Sequence, residues 1–144
     1  MQKLSFVFLL SVALLSCDIR NQHTVDVKAS PITDEQLAEK TSVEVIDTLY
    51  NFGKATDGEK VEYNFKFRNS GTKPLIISNA TSSCGCTVPE KPEAPVKPGE
   101  IGFLKVVFDS KNRVGTVHKD IKVISNAEPA FPTLQLTGEV VPKS

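Results

Sequence analysis

The chain has 144 residues, room for one hydrophobic core and little more, and its 17 Lys and Arg are balanced by 17 Asp and Glu. That balance sets up no net field to draw in nucleic acid, an anionic membrane surface or an acidic substrate. With 40% hydrophobic residues, no Trp, nine Pro and eight Gly, the composition is that of an ordinary folded domain.

The N-terminus stands apart from that domain. MQKLSFVFLLSVALLSC carries a single Lys3 ahead of an apolar run at residues 4 to 15, which is too short to span a bilayer and has the form of an export signal. The run ends in Leu14-Leu15-Ser16-Cys17. This resembles the bacterial lipoprotein box, in which a small residue precedes a cysteine that is lipidated as the signal is removed. The resemblance implies a signal peptide at residues 1–16 and lipidation at Cys17. The alternative is an ordinary secretory signal that happens to end in a cysteine. Acyl chains contribute about 0.8 kcal/mol per buried methylene, so several chains would hold the mature protein on a membrane.

Residues 17–41 combine this lipidated cysteine with a polar stretch that lacks aromatics and contains Pro31, a composition suited to a flexible tether. As a random coil its residues 18 to 41 would reach about 25 to 30 Å. Thr33-Asp34-Glu35-Gln36 matches a capping box and predicts a turn or two of helix over residues 34 to 40. His23 has no cysteine or second histidine nearby and reads as a solvated side chain, not a metal ligand.

From residue 42 the pattern changes to period two. In VEYNFKF, Val61, Tyr63, Phe65 and Phe67 fall on one face, with Glu62, Asn64 and Lys66 on the other. Further strand-like runs lie at residues 43–46, 75–78, 101–108, 117–124 and 134–140. Turn chemistry separates them at Asp57-Gly58, Asn69-Ser70-Gly71, Pro98-Gly99 and residues 126–132. Short strands at such intervals, with no long helical pattern among them, predict an all-β domain over residues 42–144. The expected form is an immunoglobulin-like antiparallel β-sandwich of about seven strands, with a barrel as the alternative. The aromatics Phe65, Phe67, Phe103 and Phe108 are expected in its core.

Seven dispersed pieces carry a second resemblance. They are Asn51-Phe52-Gly53, Gly58-Glu59-Lys60-Val61, Phe65 to Asn69 with Gly71, Pro74-Leu75-Ile76-Ile77, Ser83-Cys84-Gly85-Cys86-Thr87 with Pro89, Pro98-Gly99-Glu100, and Ser125 to Pro129. In this order they resemble the bacterial domain-of-unknown-function 1573 family, common in envelope lipoproteins of Bacteroidetes. The resemblance implies an immunoglobulin-like fold related in architecture to pilus chaperones, and it supplies no catalytic residues.

The chemistry of Cys84 and Cys86 is therefore read from the residues themselves. In a straight strand, positions two apart sit about 6.6 to 6.8 Å from Cα to Cα, at the upper limit for a disulfide, unless Gly85 allows a turn or bulge. A bridge in so small a ring would be easily reduced and suited to exchange. Yet thioredoxin-like enzymes use Cys-x-x-Cys at a helix start, and neither helix nor βαβ pattern is visible here. Two thiolates on one face would also suit Cu(I) or half of a zinc shell. His118 alternates out of phase with Val117, Ile121 and Val123 and reads as solvated, so a zinc site or a Cys-His nucleophile lacks its other members. The remaining readings are a pair that shapes a loop, bridged or left as small buried residues, and cysteines that pair with another chain.

The expected function is that of a non-catalytic binding or structural module, lipid-anchored to a bacterial membrane in the cell envelope and facing the periplasm. Its partners are that membrane and an envelope protein or glycan, with no nucleic acid and no cofactor. The alternative is an envelope thiol-redox or metal-binding protein that uses Cys84 and Cys86.

Overall fold

The computed structural model describes residues 33–144. The expected signal peptide, Cys17, His23 and the tether as far as residue 32 lie outside the described residues. The short helix α1, Asp34–Ala38, begins with the predicted capping box: the Gln36 amide donates to Thr33 Oγ1 at 3.4 Å and the Gln36 side chain accepts from the Thr33 amide at 3.0 Å. Among the described residues no helix is long and apolar enough to cross a membrane.

Eight strands follow: β1 Val43–Val45, β2 Leu49–Thr56, β3 Lys60–Asn69, β4 Ile77–Ser82, β5 Thr87–Glu90, β6 Ile101–Asp109, β7 Gly115–Ser125 and β8 Leu134–Val141. They form two four-stranded sheets, ordered β1-β3-β6-β5 and β2-β8-β7-β4. The sandwich and its immunoglobulin-like class are as the alternation predicts. β3 places Val61, Phe65 and Phe67 inside, with Tyr63 half-buried beside them. Phe65, Phe67, Leu104, Val106 and Phe108 of one sheet meet Ile121, Leu134, Leu136 and Val140 of the other. Aromatic pairs stitch the sheets together. Tyr50 stacks on Tyr63 with ring centroids 3.8 Å apart, and Phe52 lies 5.9 Å from Phe108. Burial, and then the nearby Asp47 carboxylate, hold the Tyr63 phenol above its usual pKa, so it stays protonated.

Four features depart from expectation, each for a local reason. The sheets are not wholly antiparallel: β2 runs parallel to β8. The chain crosses from one sheet to the other between β1 and β2, so the entering strand lies alongside the final one in the same direction. β2 is also absent from the period-two reading. A register shift between Asn51 and Lys54, with Gly53 at φ 69°, moves its inward positions from Tyr50 and Phe52 to Ala55. The run expected at residues 75–78 is the approach to β4, which continues to Ser82. Finally, Phe103 is not in the core but 51% exposed, because β6 turns Gly102, Leu104, Val106 and Phe108 inward instead. Gly102 faces inward because the Phe67 ring fills the space: a Cβ there would lie 2.5 Å from two ring carbons.

Candidate functional site: the Cys-Gly-Cys turn between the sheets

The segment from Ser83 to Cys86 carries the chain from β4, an edge strand of one sheet, to β5, an edge strand of the other. It is a turn and not a straight strand. The Thr87 amide donates to the Cys84 carbonyl at 3.3 Å, which brings the Cys84 and Cys86 Cα atoms to 5.3 Å and lets the two sulfurs form a disulfide. Gly85 is not among the glycines with positive φ, and a Cβ at its position would meet nothing within 4 Å. The turn is therefore made by its hydrogen bond and its bridge, without a left-handed residue.

The two cysteines are held differently. Cys86 packs against the core, and its carbonyl accepts a 2.9 Å hydrogen bond from the Asp109 amide at the end of β6. Cys84 sits at the exit of β4, half-exposed and outside that core contact. Between them lies the hydroxyl of Thr87, a residue only 3% exposed, at 3.8 Å from the Cys84 sulfur and 3.9 Å from the Cys86 sulfur. Among the described residues these sulfurs are its hydrogen-bond partners. This hydroxyl is the feature that sequence reasoning missed, although Thr87 directly follows Cys86 and a threonine at the first inward position of a strand is the signal that could have found it.

The other residues weighed in the sequence do not join this turn. His118 is exposed on β7 and pairs with Asp120 across 3.3 Å. Among the described residues no three His, Cys, Asp or Glu side chains are grouped as a metal-binding set.

Most of the remaining matching pieces have structural work to do. Asn69, fully buried, accepts from the Thr41 hydroxyl at 3.0 Å and the Gly71 amide at 3.1 Å, and donates to the carbonyls of Lys73 at 2.7 Å and Val96 at 2.8 Å. Asn126 is 1% exposed, accepts from the Ile76 amide at 2.8 Å and donates to the carbonyls of Glu39 at 2.7 Å and Pro74 at 2.9 Å. These clamps fix the β3–β4 connection and draw residues 39 to 41, on the tether side of the expected boundary at 42, into the fold. Asn51 accepts from Gly53 within the β2 bulge at 2.8 Å, and Glu59 and Glu100 close tight turns onto the amides of Thr56 and Lys97 at 2.9 and 3.1 Å. The Cys-Gly-Cys piece differs, because its bridge closes a loop of three residues. Chain-entropy reasoning gives such a loop about 1.6 kcal/mol, against about 3 for a loop of fifteen. Replacing both Cys84 and Cys86 with Ser is expected to lower stability by less than about 2 kcal/mol, read as the shift in a urea midpoint at unchanged slope.

The architecture and this turn define the class: an immunoglobulin-like β-sandwich module with a disulfide at the crossing between its sheets. The chain belongs to the family described as protein of unknown function (DUF1573), whose model matches residues 43–140. A Porphyromonas gingivalis W83 protein of unknown function shares the fold at TM-score 0.59 and 21% identity over 76% of this chain, which spans about 50% of that one. The ASH/PapD-like domain of human CEP192 aligns at TM-score 0.51 and 15% identity, covering 84% of this chain and 98% of that domain. The Vibrio cholerae protease VesB aligns at TM-score 0.48 and 17% identity over 72% of this chain and 32% of its own, too loosely to carry an argument. No curated protein matches the chain.

Proposed function

We propose that the protein is a lipid-anchored module of the bacterial cell envelope that binds an extended segment of another envelope protein without catalysing a reaction on it. The observation that carries this reading is the state of its sheet edges. An edge strand offers unpaired main-chain groups, and proteins blunt that offer with short strands, proline, charges or bulges. β1 is three residues long, β5 is four and contains Pro89, and β2 is broken by its bulge. β4 has six residues, ISNATS, with neither proline nor charge; it too has a register shift, between Ile77 and Asn79, but beyond it the strand runs regularly from Asn79 to Ser82. Among the described residues no strand pairs with its outer side. Such an edge accepts a further strand through main-chain hydrogen bonds, with Ser78, Asn79 and Thr81 exposed beside it.

The Cys17 box supports the envelope placement. Cys17→Ala is expected to abolish incorporation of labelled fatty acid and to move the protein from the membrane to the soluble fraction. A photo-crosslinker at Asn79 is expected to capture a discrete partner in cells, and to do so also in the Cys84→Ser/Cys86→Ser variant. Equal labelling of the Cys17 variant would overturn the anchor, and capture from an exposed β7 site such as Lys122 but not from Asn79 would overturn the β4 edge.

A further inference from the structure

We propose that the Cys84–Cys86 bridge is a thiol–disulfide exchange centre that accepts two electrons from a pair of cysteines on a protein partner. This goes beyond the binding-module reading and stands on its own observations.

The first is thermodynamic. Whatever free energy a disulfide adds to the fold, the fold returns as resistance to reduction. A bridge that closes a loop of three residues adds little, so reduction meets little opposition. The second is the Thr87 hydroxyl. Buried, and 3.8 and 3.9 Å from the two sulfurs, it has in the oxidised state only weak sulfur acceptors for its single proton. When the bridge opens it can donate to a thiolate, a charge-assisted and much stronger bond. The oxidised turn thus already holds the donor that its reduced form requires. The third is the asymmetry of the two cysteines. Both are half-exposed, but Cys86 is fixed by the core and by Asp109, while Cys84 lies beyond the end of β4 and outside that core contact. The attacked sulfur is therefore Cys84 and the leaving sulfur is Cys86.

The turn stays tied to the neighbouring strand as it leaves β4. The β4–β7 ladder reaches Ser82 and Ile121, and the Ser83 amide continues it to the Asp120 carbonyl at 3.1 Å.

The step balances as follows. A partner thiolate attacks the Cys84 sulfur; the Cys84–Cys86 bond breaks and Cys86 leaves as a thiolate that accepts the Thr87 hydrogen bond. The partner's second thiolate then attacks its own sulfur in the mixed disulfide and releases Cys84. The partner is oxidised by two electrons to a disulfide, and Cys84 and Cys86 gain those electrons and the two protons the partner's thiols gave up. One equivalent is exchanged per chain.

The test uses the purified protein and reduced glutathione as the probe thiol. The wild-type bridge is expected to open at least tenfold faster than oxidised glutathione exchanges under the same conditions. Cys86→Ser is expected to trap one glutathione on Cys84 when offered oxidised glutathione, whereas Cys84→Ser leaves Cys86 largely unmodified. Thr87→Val is expected to slow opening at least fivefold and to move the thiol titration of the reduced protein to higher pH, with Thr87→Ser restoring both. Circular dichroism reports whether Thr87→Val is folded; if it is not, the wild-type rate and the two single-cysteine variants decide. Opening no faster than that of oxidised glutathione, or preferential trapping at Cys86, would overturn the proposal. These measurements need no cellular partner, so their failure leaves the β4-edge reading intact.

Discussion

Replacing Phe65 with Ala is expected to lower the unfolding free energy by about 3 to 5 kcal/mol, the cost of emptying a buried aromatic site. Phe65 is 1% exposed, lies opposite Leu104 in the β3–β6 register, and forms a T-shaped pair with Tyr63, ring centroids 4.9 Å apart. Its inward neighbours on both strands are fixed by their own ladders, so the cavity has little means of collapsing. Domains of this size are stable by roughly 5 to 15 kcal/mol, so the loss is a large fraction of the total. Urea unfolding of the purified protein measures it. Phe103→Ala supplies the control: the same chemical change on the outer face of the same sheet should cost no more than about half a kcal/mol. If the two variants lose similar amounts, the inward phase assigned to β3 and β6 is wrong.

The second large effect is expected at Asn69. Asn69→Ala removes three amide hydrogen bonds at a site with 0% exposure, each worth about 0.5 to 1.5 kcal/mol, together with the Asn69 share of the single Thr41 hydroxyl proton. Some partners keep a second bond: Lys73 O from Thr41 at 2.9 Å, Val96 O from Leu75 at 2.8 Å, and the Gly71 amide to Ser42 O at 3.1 Å. The net cost is therefore expected at about 2 to 4 kcal/mol. Asn69→Asp separates hydrogen bonding from shape. Its carboxylate would face the carbonyls of Lys73 and Val96 where the amide donated, which raises the folded-state pKa above the unfolded value of about 3.9. The penalty on folding is then absent below that pH, grows as pH rises and is complete above the raised pKa. The Asp variant should be the less stable of the two at neutral pH and should draw level with the Ala variant in acid. Parallel stability curves from pH 3 to 7 would remove Asn69 from the clamp.

The sequence disclosed what depends on uninterrupted alternation. β3 is legible because a half-buried strand needs apolar residues at every second position and Val61 to Phe67 keep that phase without a break; β7 keeps it at Val117, Ile121 and Val123, interrupted only by Lys119. β2 was hidden because one bulge reverses the phase in mid-strand, and β5 because four residues with a proline carry too little pattern. Phe103 is misassigned because IGFLKVVF carries large apolar residues on both phases, and only Lys105 in the phase of Phe103, with the close fit of Gly102 against Phe67, marks which face turns outward. The cysteines were legible as a pair, but their setting was not. The hydrogen bond that makes the turn, and the direction of the Thr87 hydroxyl, arise from contacts between elements that no local spacing records. The same holds for Asn69 and Asn126, which look like ordinary turn residues until the segments they clamp are seen beside them.

The way residues 39 to 41 enter the sandwich also bears on how the module carries tension. Thr41 lies parallel to Ala127, donates its amide to Asn126 O at 3.2 Å, accepts from the Glu128 amide at 2.7 Å and bonds through its hydroxyl to Asn69 and Lys73. The Asn126 side chain holds Glu39 O a short distance upstream. A pull on the chain ahead of Glu39 reaches these bonds before it reaches β1, so they are loaded first. Force arriving from the N-terminal side is thus spread over the β3–β4 connection and the segment after β7, and β1 is shielded from being peeled off β3.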